Sequence, residues 1–176
     1  MKLALGLAAS LWLAAVTHSV AAQPSASDAA AQLAGLFMQS CLPYAGNPAA
    51  LRAWARRTGL PTLPDPARAA FLHGAPGVVF DASTGGGKYV LASSDDGICS
   101  AITDAATDAA VVAALEDDLH RIGVAFRRVI ERDDKQVGAV HYREYLAAKD
   151  GRGWRILAAT VKDAGSGQAM LTAEPE

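Results

Sequence analysis

The chain has 176 residues, 51% of them apolar and 19% charged, with a formal net charge of −2. That balance excludes intrinsic disorder and argues against nucleic-acid binding, which needs a net basic face to displace counterions. The two cysteines are too few for a disulfide-dense miniprotein or a four-thiolate zinc site.

Met1-Lys2, a nearly unbroken apolar run from Leu3 to Val16, and the small residues Val20 and Ala22 before Gln23 have the pattern of a secretory leader. Residues 1–22 read as a cleaved signal peptide rather than an anchor, because a bilayer takes roughly 20 apolar residues to cross. Cleavage leaves about 150 residues, enough for one domain. No cysteine sits at the cleavage point, and no later stretch is long and apolar enough to serve as a transmembrane anchor. The expected location is periplasmic or secreted. An oxidising compartment favours a disulfide between Cys41 and Cys99. A catalytic thiol is the weaker alternative, since a free exported thiol with a second one available is usually oxidised.

Ser27 can cap a first helix that runs to about Cys41 and ends at Pro43, with Ala30, Leu33, Phe37, Met38 and Cys41 along one face. Asn47-Pro48 starts a second helix, which Gly59 ends. Leu51, Trp54, Ala55 and Thr58 line one side of it, and Arg52, Arg56 and Arg57 read as a solvated face. Leu60 to Pro66 is an extended linker, and a short helix follows through Leu72. Strands are expected at Gly77–Ser83, from Lys88 and at Ile98–Ile102, joined by turns at Thr84–Gly87 and Asp95–Gly97. A helix then runs through Ile122, with Val111, Val112, Leu115, Leu119 and Ile122 recurring at helical spacing and Glu116, Asp117 and Asp118 toward water. Strands around Val124–Ile130, Val137–Ala147 and Trp154–Lys162 follow, and Gln168–Ala173 reads as a short edge strand. Their tight turns imply antiparallel neighbours. The fold class is therefore α+β: N-terminal helices on an antiparallel sheet, with one amphipathic helix inserted between two strand groups.

No local motif fixes a chemistry. Gly85-Gly86-Gly87-Lys88 lacks the earlier glycine and the following Ser or Thr of a phosphate loop, and reads as a hairpin turn. Asp95-Asp96-Gly97 lacks the ligand spacing of a calcium loop. His73, His120 and His141 have no zinc-type spacing, so no metal site and no cofactor is expected. Neither a Gly-x-Ser-x-Gly elbow nor His-Glu-x-x-His occurs. The best polar constellation is on the late strands, where Arg127, His141, Arg143, Tyr145, Trp154 and Arg155 form a cationic and aromatic surface if their rows abut. Such a surface suits an anionic small ligand or an acidic envelope protein partner. The bland alternative is a solvated sheet face with weak cross-strand pairs.

Cys41 in a first helix, the Trp54–Leu60 segment, Phe71-Leu72-His73-Gly74 with Gly77, and Asp96-Gly97-Ile98-Cys99 form an ordered series. In these features the chain resembles an uncharacterised family of small exported proteobacterial proteins and lipoproteins. The resemblance covers roughly residues 28–105 and implies a fold but no catalytic residues. Lipidated members would carry a cysteine directly after the leader, which this chain lacks. Two functions stay open: a binding module of the cell envelope, and a small exported hydrolase using His141 or His73 with a carboxylate.

Overall fold

The computed structural model describes residues 25–134, 140–161 and 168–176. The signal-peptide reading of residues 1–22 lies outside them. Four longer helices, α1 (Ala26–Gln39), α3 (Pro48–Arg57), α4 (Asp65–Leu72) and α5 (Asp108–Arg121), and one short helix, α2 (Cys41–Tyr44), surround a single sheet. The strands are β1 (Gly77–Asp81), β2 (Tyr89–Ser94), β3 (Cys99–Thr103), β4 (Ala125–Asp134), β5 (Val140–Lys149), β6 (Arg152–Val161) and β7 (Ala169–Pro175). Every pairing is antiparallel, in the order β1-β2-β3-β7-β6-β5-β4. The α+β class and the inserted helix α5 are as expected.

The helix ends follow from local chemistry. Ser25, two residues earlier than expected, caps α1: its hydroxyl accepts from Asp28 N–H at 3.1 Å while the Asp28 carboxylate accepts from Ser25 N–H at 3.2 Å. The helix stops at Ser40, not at Pro43, because the Ser40 hydroxyl donates to the Leu36 carbonyl at 2.6 Å and the chain turns there. Pro43 sits inside the short α2, which lacks the preceding turn that proline would clash with. The Asn47 side chain accepts from Ala50 N–H at 3.1 Å and starts α3.

Leu33, Phe37, Leu115 and Leu119 pack between α1, α5 and the sheet, on Ile156 and Leu171. The disulfide Cys41–Cys99 is buried in this core and ties α2 to β3, with a Cα–Cα distance of 5.1 Å. Among the described residues the opposite face carries only α4, at the β1–β2 corner, where Phe71 and Leu72 approach Ala92 and Ser94. The remaining outward residues have no helix over them among the described residues, which an antiparallel sheet tolerates.

Two sequence expectations are corrected. The last strand is not an edge strand: β7 lies between β3 and β6, and Leu171 and Ala173 are fully buried. Chain order hides this, because the last strand returns to join the two hairpin groups. Arg52 is also no part of a solvated arginine face. Its guanidinium donates to the Ser93 carbonyl at 3.0 Å and pairs with Asp95, anchoring α3 to the β2–β3 turn.

Candidate functional site

The six late-strand residues do not form one surface. The β4–β5 register places Arg128 opposite Tyr145, Glu131 opposite Arg143, and Asp133 opposite His141. Across β5 and β6, His141 faces Thr160 and Ala147 faces Trp154. His141, Arg143, Tyr145 and Trp154 therefore share the helix-covered face. Arg127 and Arg155 both lie opposite Leu146, on the other face. The sheet divides the predicted surface, because strand residues alternate and a bulge between Arg128 and Ile130 shifts that alternation along β4. Trp154 is further separated. It lies at the far end of β6 from Thr160, buried, with the Arg152 guanidinium 5.2 Å over its ring.

On the helix-covered face a continuous polar seam joins β4 and β5 to α5. His141 Nδ1 is bonded to Asp133, and its Nε2 lies 3.0 Å from Glu131 Oε1. The same Glu131 oxygen accepts from Arg143 Nε at 3.1 Å. Arg143 then donates both terminal nitrogens to Asp108, at 2.5 and 3.0 Å, and the Thr160 hydroxyl donates to Asp108 as well. Glu131 Oε2 accepts from Arg128 at 2.9 Å, and Arg128 reaches on to Glu116 at 2.8 Å. Glu116 also accepts from the Tyr145 hydroxyl at 2.8 Å. Glu116 thus points onto the sheet rather than toward water, drawn by Arg128 and Tyr145.

The seam sets its own electrostatics. The bond from His141, helped by Arg128, holds the Glu131 carboxyl below the usual range. Burial pushes Asp108 upward, but the bonds from Arg143 and Thr160 outweigh it and leave it lowered. Burial, with the Glu116 carboxylate, pushes the Tyr145 phenol up to about 12.

This arrangement limits catalysis. A general base needs one ring nitrogen open to a substrate proton. In His141, which is 7% exposed, both nitrogens face carboxylates. His73 is exposed at the left-handed end of α4 and has no carboxylate partner among the described residues. Three grooves, of about 690, 620 and 220 Å³, lie between α1, α3 and the β1–β2 hairpin, between α1 and α5, and beside Trp154. Neither histidine lines any of them.

The sheet edges differ more than the grooves do. Beside β1, Leu63 N–H donates to the Val79 carbonyl and Asp81 N–H to the Pro61 carbonyl, both at 2.8 Å, so the linker closes that edge. No strand pairs with the outer side of β4 among the described residues. Along this ten-residue strand Ile130 is 43% exposed. Arg127 has no ion pair with a described residue, and Arg132 stacks 5.2 Å over Tyr142. Arg127 lies on a strand, as its local pattern predicts, but its place at the sheet edge has no signal in the sequence, because strand order is not written in the local pattern. No helix among the described residues is long and apolar enough to cross a membrane. No family model matches the chain, and no curated protein or solved structure matches it significantly.

Proposed function

We propose that this protein is an exported binding module of the cell envelope, whose partner docks as an added strand along β4. The contrast between the two sheet edges carries this reading: the linker closes β1, whereas no described residue pairs with the outer side of the ten-residue β4. An open edge offers backbone donors and acceptors to an extended segment. Arg127 and Arg132 lie on the outward face of β4 beside the exposed Ile130. They blunt indiscriminate strand pairing and select a segment with acidic side chains. The partner is therefore an extended acidic stretch of an envelope protein.

Export rests on the leader pattern of residues 1–22, on the buried Cys41–Cys99 disulfide, which suits an oxidising compartment, and on the resemblance to small exported proteobacterial proteins. Periplasmic residence and secretion both fit. The hydrolase reading has one observation in its favour, the His141–Asp133 pair. It is the weaker reading, because Glu131 occupies the other ring nitrogen.

The test is affinity capture. The mature oxidised protein, immobilised, is incubated with envelope extract of its own host beside an Arg127→Glu/Arg132→Glu variant and an Arg56→Glu control on α3. The expected result is a near-stoichiometric partner that the double variant loses and the control keeps. An empty column, or a partner indifferent to the β4 reversal, would overturn the docking surface.

A further inference from the structure

We infer that the His141 imidazolium is a proton-operated latch on the outer half of β4, and that loss of a ring proton loosens residues 130–134. The inference deepens the docking reading by naming how that strand is regulated, yet the latch is a property of the fold and is measured without a partner.

Its basis is the pattern of donors and acceptors. With both carboxylates ionised, the two bonds, Nδ1 to Asp133 and Nε2 to Glu131, form together only when each ring nitrogen carries hydrogen. When one proton passes to solvent, the remaining N–H serves one carboxylate. The bared lone pair then faces the other carboxylate at hydrogen-bonding distance, which is repulsive.

The groups around the ring come from every neighbouring element. Glu131 and Asp133 belong to β4, and Arg143 of β5 shares the Glu131 oxygen. Asp108 of α5 lies beyond Arg143, and Thr160 of β6 bonds that same carboxylate. Arg128 reaches Glu131 from the first half of β4. Among the described residues these are three carboxylates and two guanidiniums, so the ring's charge is the one that proton loss removes.

The effect is local because of the bulge. The register shift between Arg128 and Ile130 divides β4 into two runs. The first run has its own fastening: Phe126 packs 4.7 Å from the His120 ring and 5.9 Å from Tyr145, and Arg128 holds Glu116. The second run is held through Glu131 and Asp133, both of which bond to the ring, with Arg143 also on Glu131 and Arg132 stacked over Tyr142. An edge strand has no second neighbour to keep it in place, so it can open without the core.

The experiment is NMR on the mature oxidised protein, scanned from about pH 5 to 9. Ring nitrogen shifts of His141 report its protonation, and amide hydrogen exchange, corrected for intrinsic rate, reports opening. Protection of residues 130–134 is expected to fall about tenfold or more as the His141 ring loses its proton, while Tyr145 and Ile156 stay protected. A His141→Gln variant should show the lower protection at every pH, with no step. Should that variant fail to fold, Asp133→Asn keeps the Glu131 arm and should move the ring's midpoint to lower pH, with the exchange step moving alongside it. A ring that stays singly protonated throughout, or protection that does not change across its titration, would overturn the latch. Failure of affinity capture alone would overturn the docking reading and leave the latch standing.

Discussion

Removing the disulfide, as Cys41→Ala/Cys99→Ala, should destabilise the fold by about 4 kcal/mol. The bond closes a separation of 58 residues, and the chain-entropy relation for a loop of that size gives this figure near room temperature. The native side adds no obvious relief, because both cysteines are fully buried and each alanine leaves a sulfur-sized gap. A single domain has roughly 5–15 kcal/mol in total, so the loss takes a large share of it. With about 2–4 °C per kcal/mol for a chain of this size, the midpoint of thermal unfolding should drop by about 8–16 °C. Urea unfolding followed by fluorescence of Trp54 and Trp154 measures it, with the oxidised protein, the reduced protein and the alanine variant side by side. The reduced and alanine forms should agree within about 1 kcal/mol of each other and lie well below the oxidised form. If all three unfold together, the bond adds nothing. The picture of α2 pinned to the sheet centre then fails, and the case for export loses one of its supports.

Further tests address the seam and the turns. Arg143→Met leaves Asp108 without both guanidinium donors while Arg143 itself is only 12% exposed, so urea unfolding should show a loss of about 3 kcal/mol or more. Adding Asp108→Asn should recover part of it, the sign of direct coupling. Glu131 and Asp108 carry lowered pKa values in the folded state, so the stability they add is present above their unfolded values and lost as pH falls through the folded ones. The urea midpoint should therefore decline below about pH 4, and in Arg143→Met that acid limb should be shallower. Gly97→Ala should cost about 2 kcal/mol or more, because φ is +95° and an added Cβ would sit 2.8 Å from the Gly46 Cα. Thermal melts beside Gly59→Ala, where φ is +79° but nothing lies within 4 Å, isolate that clash from the backbone strain.

The local elements were legible in the sequence and the long-range assembly was not. The capping side chain of Asn47 and the inward stripe of Leu33, Val111, Leu115 and Leu119 follow from spacing, and the Cys41–Cys99 pairing is the pairing expected of an exported chain with two cysteines. The position of β7 depends on which strands a non-local segment finds after the hairpins form, and Gln168–Ala173 carries no local trace of it. The binding surface failed for a related reason. Arg127 and Arg143 look equivalent along their own strands, but only the register and the bulge at Arg128–Ile130 decide which face each takes. Glu116 shows the same limit from a helix, since its polar character suggested water while Arg128 and Tyr145 supplied a better environment on the sheet. Nothing in the sequence marked the linker at Pro61–Leu63 as the cover of one edge, so the openness of the other could not be read either.

Site-specific photo-crosslinking tests the central claim most directly. A photoreactive amino acid replaces Ile130 in the full chain expressed in its host, and a second strain carries it at Arg56 on α3. Illumination of intact cells should give one discrete heavier species from the Ile130 position and none from Arg56, and the attached protein should carry an acidic extended segment at the cross-link. An adduct from Arg56 alone, or none from Ile130 at native abundance, would contradict docking on β4.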